Sequence, residues 1–140
     1  MRQFSVMLPN RSGSLASLLR LLRGAAVQVV GLSLQDSCDV TVARLVTTDP
    51  ETAQAVFLEK GIPHNTCDLV VVALRESGPG LTACLETLML AETNVDFLYP
   101  LLPSPNGQAL LALHVEDHAF AVSLLQRSGF KLLHQEDLSR

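Results

Sequence analysis

A short polar segment near the start of the chain, Asn10-Arg11-Ser12-Gly13-Ser14, separates an apolar run from a leucine-rich stretch. The first turn of the helix that follows has backbone N–H groups without intrahelical partners and a partial positive charge, so a carboxylate docks there readily. Gly13 lets a ligand approach the backbone closely, and the amide of Asn10 can donate and accept hydrogen bonds. The segment therefore offers the chemistry of an anion or amino-acid site.

The same segment has a simpler interpretation. Asn10 or Ser12 could serve only to cap the following helix, as polar residues at such turns commonly do. The residues alone leave capping and ligand binding both open. We expect Arg11 to face solvent. The alternative is that Arg11 binds a ligand carboxylate.

Two histidines close together, His114 and His118, raise the question of a metal site. His114 ends a predicted strand and His118 begins a predicted helix, so the pair does not share a helical face. Glu116 or Asp117 as a helix cap is the simpler account. The chain also has no GxSxG, P-loop or GxGxxG motif. We therefore predict no catalytic residue, no metal and no cofactor, and hence a protein that is not an enzyme.

The composition narrows the class of protein. The chain has 140 residues, of which 48% are hydrophobic and 17% charged, as in a globular protein. The net charge of −4, one Tyr and no Trp argue against a nucleic-acid partner. Three cysteines without a CxxC pair fit a reducing compartment. The absence of an apolar leader, and prolines that interrupt residues 97–115, predict a cytoplasmic protein without a membrane partner.

The sequence repeats itself at an offset of 66 residues. The apolar residues of 4–8 fall on those of 70–74, the leucines of 15–22 fall on those of 81–88, and Gln28 falls on Asn94. The offset drifts to 68 near the end, where Gly61 meets Gly129. Because a repeat of this length sets the domain count, we predict two domains, residues 1–67 and 68–140.

Each repeat predicts the same series of elements. In the first, strand 2–8 precedes helix 13–23, strands 25–34 and 39–47, a helix that Asp49-Pro50 opens and Gly61 closes, and strand 62–67. The second repeat predicts strand 68–74, helix 80–91, strands 94–102 and 108–115, helix 117–127 and strand 130–134. The order βαββαβ, twice, predicts an α+β fold of two ferredoxin-like units, with antiparallel sheets and the helices on one face.

These residues resemble the ACT domain family. In the first copy, the resemblance rests on a strand, a polar turn, a leucine helix and the start of the second strand: the turn is Asn10-Arg11-Ser12-Gly13 with Leu15, and the strand start is Ala26-Val27-Gln28-Val29. In the second copy, the turn is Ser77-Gly78-Pro79-Gly80-Leu81 and the strand start is Thr93-Asn94-Val95. The whole chain is similar to stand-alone proteins made of two ACT domains. The resemblance implies a regulatory protein or sensor for an amino acid or related metabolite. The alternative is a ligand-free interaction protein or a regulatory subunit of a metabolic enzyme.

The resemblance also implies a site. In the family, two domains meet side by side through their second strands, here residues 25–34 and 94–102, in one continuous sheet of eight strands. The implied ligand-binding residues are Asn10, Arg11, Ser12, Gly13, Ser14, Asn94 and Asp96. A second site would consist of Gln28, Ser77, Gly78 and Gly80, and we expect it to be weaker because Glu76 would repel a carboxylate.

The helices carry more apolar residues than one thin layer needs. Val56, Phe57, Phe120 and Leu124 are predicted on outer helical faces. We therefore expect two chains to associate as a homodimer.

Overall fold

A computed structural model gives the fold and describes residues 1–9, 13–36, 39–74, 80–102 and 108–138. The predicted site residues Asn10, Arg11, Ser12, Ser77 and Gly78 lie outside these described residues. The structure divides into two units by contacts. The first unit comprises residues 2–67 and the chain from residue 135 onward, and the second comprises residue 1 and residues 68–134.

The first unit has the predicted series of elements. They are β1 (Arg2–Pro9), α1 (Ser14–Gly24), β2 (Val29–Asp36), β3 (Val40–Thr47), α2 (Pro50–Glu59) and β4 (His64–Asp68), followed by the short α5 (Gln135–Leu138) from the other end of the chain. The strands form one sheet in the order β2-β3-β1-β4, in which β1 and β2 both pair antiparallel to β3. The sequence did not predict α5.

The second unit repeats this architecture. Its elements are β5 (Val70–Leu74), α3 (Gly80–Leu90), β6 (Val95–Pro100), β7 (Ala109–Val115), α4 (His118–Arg127) and β8 (Lys131–Leu133). The sheet order is β6-β7-β5-β8, with β5 antiparallel to both β7 and β8. The α+β class and the repeated βαββαβ series are thereby confirmed.

Each unit buries one side of its sheet under both of its helices. In the first unit, Phe4 and Val6 of β1 share a core with Leu22 of α1 and Phe57 of α2. The rings of Phe4 and Phe57 meet edge to face, with centroids 5.3 Å apart. The prediction that Phe57 lies on an outer face is therefore wrong: its side chain is 0% exposed. Phe57 lies one turn after the buried Ala53, so it shares the inward face of α2.

The turns that end the helices show how closely the two units correspond. Ala26 and Glu92, 66 positions apart, both have positive φ (60° and 55°), and Gly61 and Gly129 have φ of 66° and 87°. After α1, the Val27 N–H donates to the oxygen of Leu22, as in a Schellman turn. Residues 25–28 thus form the turn that follows α1, and β2 begins at residue 29 rather than at the predicted residue 25.

The second strand of each unit is an edge strand with a bulge at its start. The register shifts between Val29 and Gly31 in β2 and between Val95 and Phe97 in β6. Bulges twist an edge and discourage further pairing. Within the described residues, each unit has its own sheet of four strands.

Candidate functional site

The first turn of α1 differs from those of α2 and α4. Its N-cap is Gly13, with a φ of 87° and no side chain to bind the helical N–H groups. By contrast, α2 and α4 are capped by Asp49 and Asp117, whose carboxylates accept from backbone N–H groups of the first turn. Within the described residues, no side chain is bonded to the first-turn N–H groups of α1. These donors remain available to a carboxylate.

A cavity of about 350 Å³ opens beside this turn, on the side of β2 and β3. It is lined by Leu8, Pro9, Gly13, Ser14, Leu15, Ala16, Leu34 and Thr41. Space is also open at Gly13 itself, because a Cβ built there would meet nothing within 4 Å. The structure therefore places the predicted Gly13 and Ser14 together in a concave surface with an apolar side.

One further residue of this surface, Thr41, and its hydrogen-bond partner Asp36 were not predicted from the sequence. Thr41 lines the cavity, and its hydroxyl donates to the carboxylate of Asp36 at 3.1 Å. Asp36 and Thr41 face each other across β2 and β3. Only the register of these two strands brings them together, and the predicted elements did not include that register. The pair adds a carboxylate one hydrogen bond away from the cavity lining.

The predicted residues Asn94 and Asp96 lie at the start of β6 in the second unit, and each has a partner there. The Asn94 amide donates to Glu116 at 2.9 Å. His114 Nδ1 and Asp96 Oδ2 are 2.8 Å apart. Because an ionised carboxylate only accepts, Nδ1 of His114 is the donor. The side chains of His114 and Asp96 are 31% and 48% exposed, so this pair is partly shielded from water.

The bulge in β6 gathers these groups. Phe97 pairs with His114, and their rings stack with centroids 4.9 Å apart and planes 7° apart. The corresponding bulge of the first unit lies between Val29 and Gly31, and Val30 takes the place of Asp96. There Gly31 pairs with Val46, as Phe97 pairs with His114 in the second unit. A comparison of the two repeats shows that both positions are polar in the second repeat alone, but the contact between them follows from the bulge.

Gln28 and Gly80 are the residues of the predicted second site that the structure describes, one in each unit. Gln28 is exposed, and its main-chain N–H donates to the hydroxyl of Thr48 at 3.2 Å. Gly80 is the first residue of α3.

The carboxyl group of Asp49 and the thiol group of Cys84 have shifted pKa values. Hydrogen bonds from Thr52, first from its hydroxyl and then from its backbone N–H, hold the pKa of Asp49 below its usual value. Burial raises the pKa of the Cys84 thiol to about 11. Cys84 is fully buried in the core of the second unit, so it acts as a packing residue rather than as a nucleophile.

His114 and His118 lie on different elements. His114 lies near the end of β7 and is bonded to Asp96, whereas His118 begins α4 next to its cap Asp117. Across the described ranges, no group of three or more His, Cys, Asp or Glu side chains could hold a metal ion. Nor does any helix in the described parts of the chain have the length and apolar character needed to cross a membrane.

The fold has counterparts among solved structures. A protein from Bacteroides thetaiotaomicron has a TM-score of 0.89 at 20% identity, over 99% of this chain and 95% of that one. The ligand-free regulatory subunit of aspartate kinase from Thermus thermophilus has a TM-score of 0.58 at 11% identity, over 91% of each chain. The corresponding subunit from Thermus flavus has a TM-score of 0.51 at 12% identity, again over 91% of each. At these identities the similarity shows a shared fold.

Sequence comparison establishes the family. No curated protein matches the chain. The family model for the ACT domain pair, however, matches residues 1–140, the full length of the sequence. This agrees with the two βαββαβ units of the structure, and the chain belongs to the ACT domain pair family.

Proposed function

We propose that this protein binds an amino acid or a related small carboxylate and acts as a regulatory protein, without catalysing a reaction. The observation that carries the proposal is the first turn of α1, which takes its N-cap from Gly13 and opens onto a cavity. Membership of the ACT domain pair family supports it. So does the fold shared with regulatory subunits of aspartate kinase.

The chemistry of the cavity matches a zwitterion. The ligand carboxylate would accept hydrogen bonds from the first-turn N–H groups of α1, and Gly13 leaves room for it. The ligand ammonium would pair with Asp36, which already accepts from Thr41 at the cavity wall. Leu15 and Leu34 offer an apolar surface for the ligand side chain. The proposed ligand therefore has an α-amino acid head and a small apolar body.

Asn94 and Asp96 remain proposed ligand groups of the second unit. A ligand would have to compete with their present partners, Glu116 for Asn94 and His114 for Asp96. We expect them to contribute less than the α1 turn, because each hydrogen bond gained would replace one already made.

A thermal-shift screen over the amino acids tests the proposal. At about 100 times Kd, binding stabilises the fold by roughly 2.7 kcal/mol, which raises the melting temperature by about 5–10 °C for a chain of this size. Ala16→Leu fills the proposed cavity and should remove most of the shift. Ala55→Leu is the matched control, because Ala55 is also an exposed helical alanine but lies on α2, away from the cavity.

Two further variants separate the two repeats. Asn10→Ala should reduce the ligand-induced shift, and Ser77→Ala should leave it nearly intact. The reverse result would move the site to the second repeat. If no amino acid shifts the melting temperature, the proposed function is wrong in this form.

A second candidate function is a regulatory subunit held by a metabolic enzyme. The observations that favour it are the apolar side chains on the helices: Leu58, Met89 and Leu90 are 68%, 66% and 81% exposed. Exposed apolar side chains of this kind would also serve the homodimer that we propose. Light scattering at micromolar concentration distinguishes a monomer from a dimer. We also propose a cytoplasmic location, because the buried Cys84 is a free thiol.

A further inference from the structure

A second and larger cavity adjoins the first at the N-terminal end of α1, and both are lined by Leu8, Pro9, Gly13 and Ser14. It has a volume of about 740 Å³ and is lined by the end of β1, the first turns of α1 and the turn at residues 61–63 before β4. All of these elements belong to the first unit. The volume is in the range of small-molecule sites, roughly 300–1,000 Å³.

The charge of this cavity is positive. Among the described residues that line it, Arg20 is the charged one, and the N-terminal end of α1, with its partial positive charge, opens into the same space. The Arg20 guanidinium lies 3.4 Å from the hydroxyl of Ser17, one turn earlier, and so leans toward the start of the helix. In a chain with a net charge of −4, this local excess favours an anionic ligand.

The floor of the cavity is apolar. Leu8 and Leu18, which are 7% and 3% exposed, lie beneath it, and Leu21 and Ile62 form its sides. An anion without an apolar body would leave this surface in contact with water. The cavity therefore fits a ligand with a charged head and a hydrocarbon body.

The repeat supplies an internal comparison. Helices α1 and α3 are related by an offset of 66 residues, so Arg20 corresponds to Glu86. The turns after the second helix of each unit are related by an offset of 68, so Ile62 corresponds to Phe130. The second unit has the same fold with a charge of opposite sign and a larger side chain at these positions. The fold therefore forms without an arginine or the smaller isoleucine at these positions. Ligand binding explains why the first unit has Arg20 and Ile62 there.

From these observations we propose that the first unit binds an amphipathic carboxylate in the 740 Å³ cavity, with its carboxylate at Arg20 and its hydrocarbon body over Leu8, Leu18 and Ile62. This site adjoins the proposed amino-acid cavity but extends from it to Arg20 and Ile62, which line the larger cavity alone, and it takes a different class of ligand. It goes beyond the proposed function.

Calorimetric titration with octanoate, and with uncharged octanamide as the matched probe, tests this inference. Octanoate should bind the unaltered protein roughly tenfold more tightly than octanamide, because a charge-assisted hydrogen bond to Arg20 is lost in the amide. Arg20→Gln should weaken octanoate about tenfold and make the two probes equal. Arg23→Gln is the control, since Arg23 is exposed on the same helix but does not line the cavity; it should change affinity by less than about twofold.

Ile62→Phe provides a second, uncharged variant. It introduces the residue of the second unit and should weaken both probes alike by filling the cavity. The inference is overturned if octanoate fails to bind, if it binds no better than octanamide, or if Arg20→Gln and Arg23→Gln behave alike. The amino-acid melting shift, measured on the same Arg20→Gln protein, should persist, which separates this inference from the proposed function.

Discussion

The side-chain amide of Gln135 donates a hydrogen bond of 2.9 Å to the main-chain oxygen of Thr47, 88 positions earlier in the sequence. Its side-chain oxygen accepts from the main-chain N–H of Arg2 at 3.3 Å. Gln3 of β1 pairs with Val46 of β3; Arg2 directly precedes Gln3, and Thr47 directly follows Val46. The amide of Gln135 therefore stands in for a peptide group and extends the hydrogen-bonded ladder of the first unit by one rung.

Replacing this amide tests its contribution to stability. Gln135→Glu keeps an acceptor for Arg2 but loses the donor to Thr47 and sets a carboxylate beside a carbonyl oxygen. We expect a loss of about 1–2 kcal/mol in the free energy of unfolding, measured by urea denaturation. Glu136→Gln, at an exposed neighbour on the same short helix, should change stability by less than about 0.5 kcal/mol. Equal effects of the two variants would show that the amide contributes nothing.

Thr47 carries a hydroxyl that is buried and has no hydrogen-bond partner among the described residues. Burying an unpaired hydroxyl is costly, and a methyl group of similar shape avoids the cost. The corresponding residue of the second unit, 68 positions later, is Val115. We expect Thr47→Val to stabilise the fold by about 1 kcal/mol, seen as a higher urea midpoint with an unchanged slope.

The next residue provides the contrast. The hydroxyl of Thr48 accepts from the main-chain N–H of Gln28 at 3.2 Å. Thr48→Val should therefore destabilise the fold by about 1 kcal/mol. A gain from both substitutions would indicate that added hydrophobicity, rather than the unpaired hydroxyl, explains the first result.

Two residues with positive φ follow the helices, and substitutions at them should change the stability of the fold in opposite directions. Ala26 has a φ of 60°, a conformation that L-residues avoid and glycine adopts freely. Ala26→Gly should stabilise the fold by about 0.5 kcal/mol after the entropy of the unfolded glycine is subtracted. Gly61→Ala should destabilise it by about 1 kcal/mol through the backbone alone, because a Cβ at Gly61 meets nothing within 4 Å. Thermal denaturation of the two variants should move the midpoint in opposite directions.

The cap of α2 predicts a dependence on pH. Because the hydrogen bonds from Thr52 lower the pKa of Asp49 in the folded protein, the ionised carboxylate stabilises the fold above its unfolded-state pKa, about 4. That stabilisation is lost as the pH falls through the lower, folded-state pKa. The stability difference between the unaltered protein and Asp49→Asn should therefore shrink below about pH 4.

Thr52→Val checks the cause of this shift. Without the Thr52 hydroxyl, which lies 2.6 Å from the carboxylate, the pKa of Asp49 should rise toward its usual value in an NMR titration. An unchanged titration would mean that this hydroxyl is not the main cause.

The Asp96–His114 pair can be tested against the first unit. Asp96→Val alone leaves the Nδ1–H of His114 without its acceptor and should cost about 1 kcal/mol. Asp96→Val combined with His114→Val reproduces the Val30 and Val46 of the first bulge, and stability should recover. A double-mutant cycle by urea denaturation measures the coupling. Strictly additive effects would contradict an interaction between the two side chains.

The sequence was sufficient for most of the fold because the evidence for each element was local or periodic. Apolar spacing identified the strands and helices, and Asp49 and Gly61 marked the start and end of α2 as predicted. The repeat then supplied the architecture of the second unit from the first. The start of β2 was misplaced because Ala25 and Ala26 are apolar like strand residues, whereas the left-handed turn at Ala26 has no glycine to mark it.

The site was less predictable because its groups meet through strand register and tertiary packing. Gly13 and Ser14 could be identified from the turn alone. Thr41 and Asp36 could not, because they come together only when β2 and β3 pair in one particular register. The same is true of His114, which reaches Asp96 through a bulge that local spacing does not reveal.

The placement of α5 has a consequence for the order in which the protein becomes complete during synthesis. A ribosome makes residues 2–67 first, and domains generally begin to fold in that order. Gln135, however, is made only after all of β5–β8. The unit whose strands are translated first therefore waits for nearly the whole chain before its sheet gains its last rung, and a ribosome stalled midway would carry a first unit still open at that end.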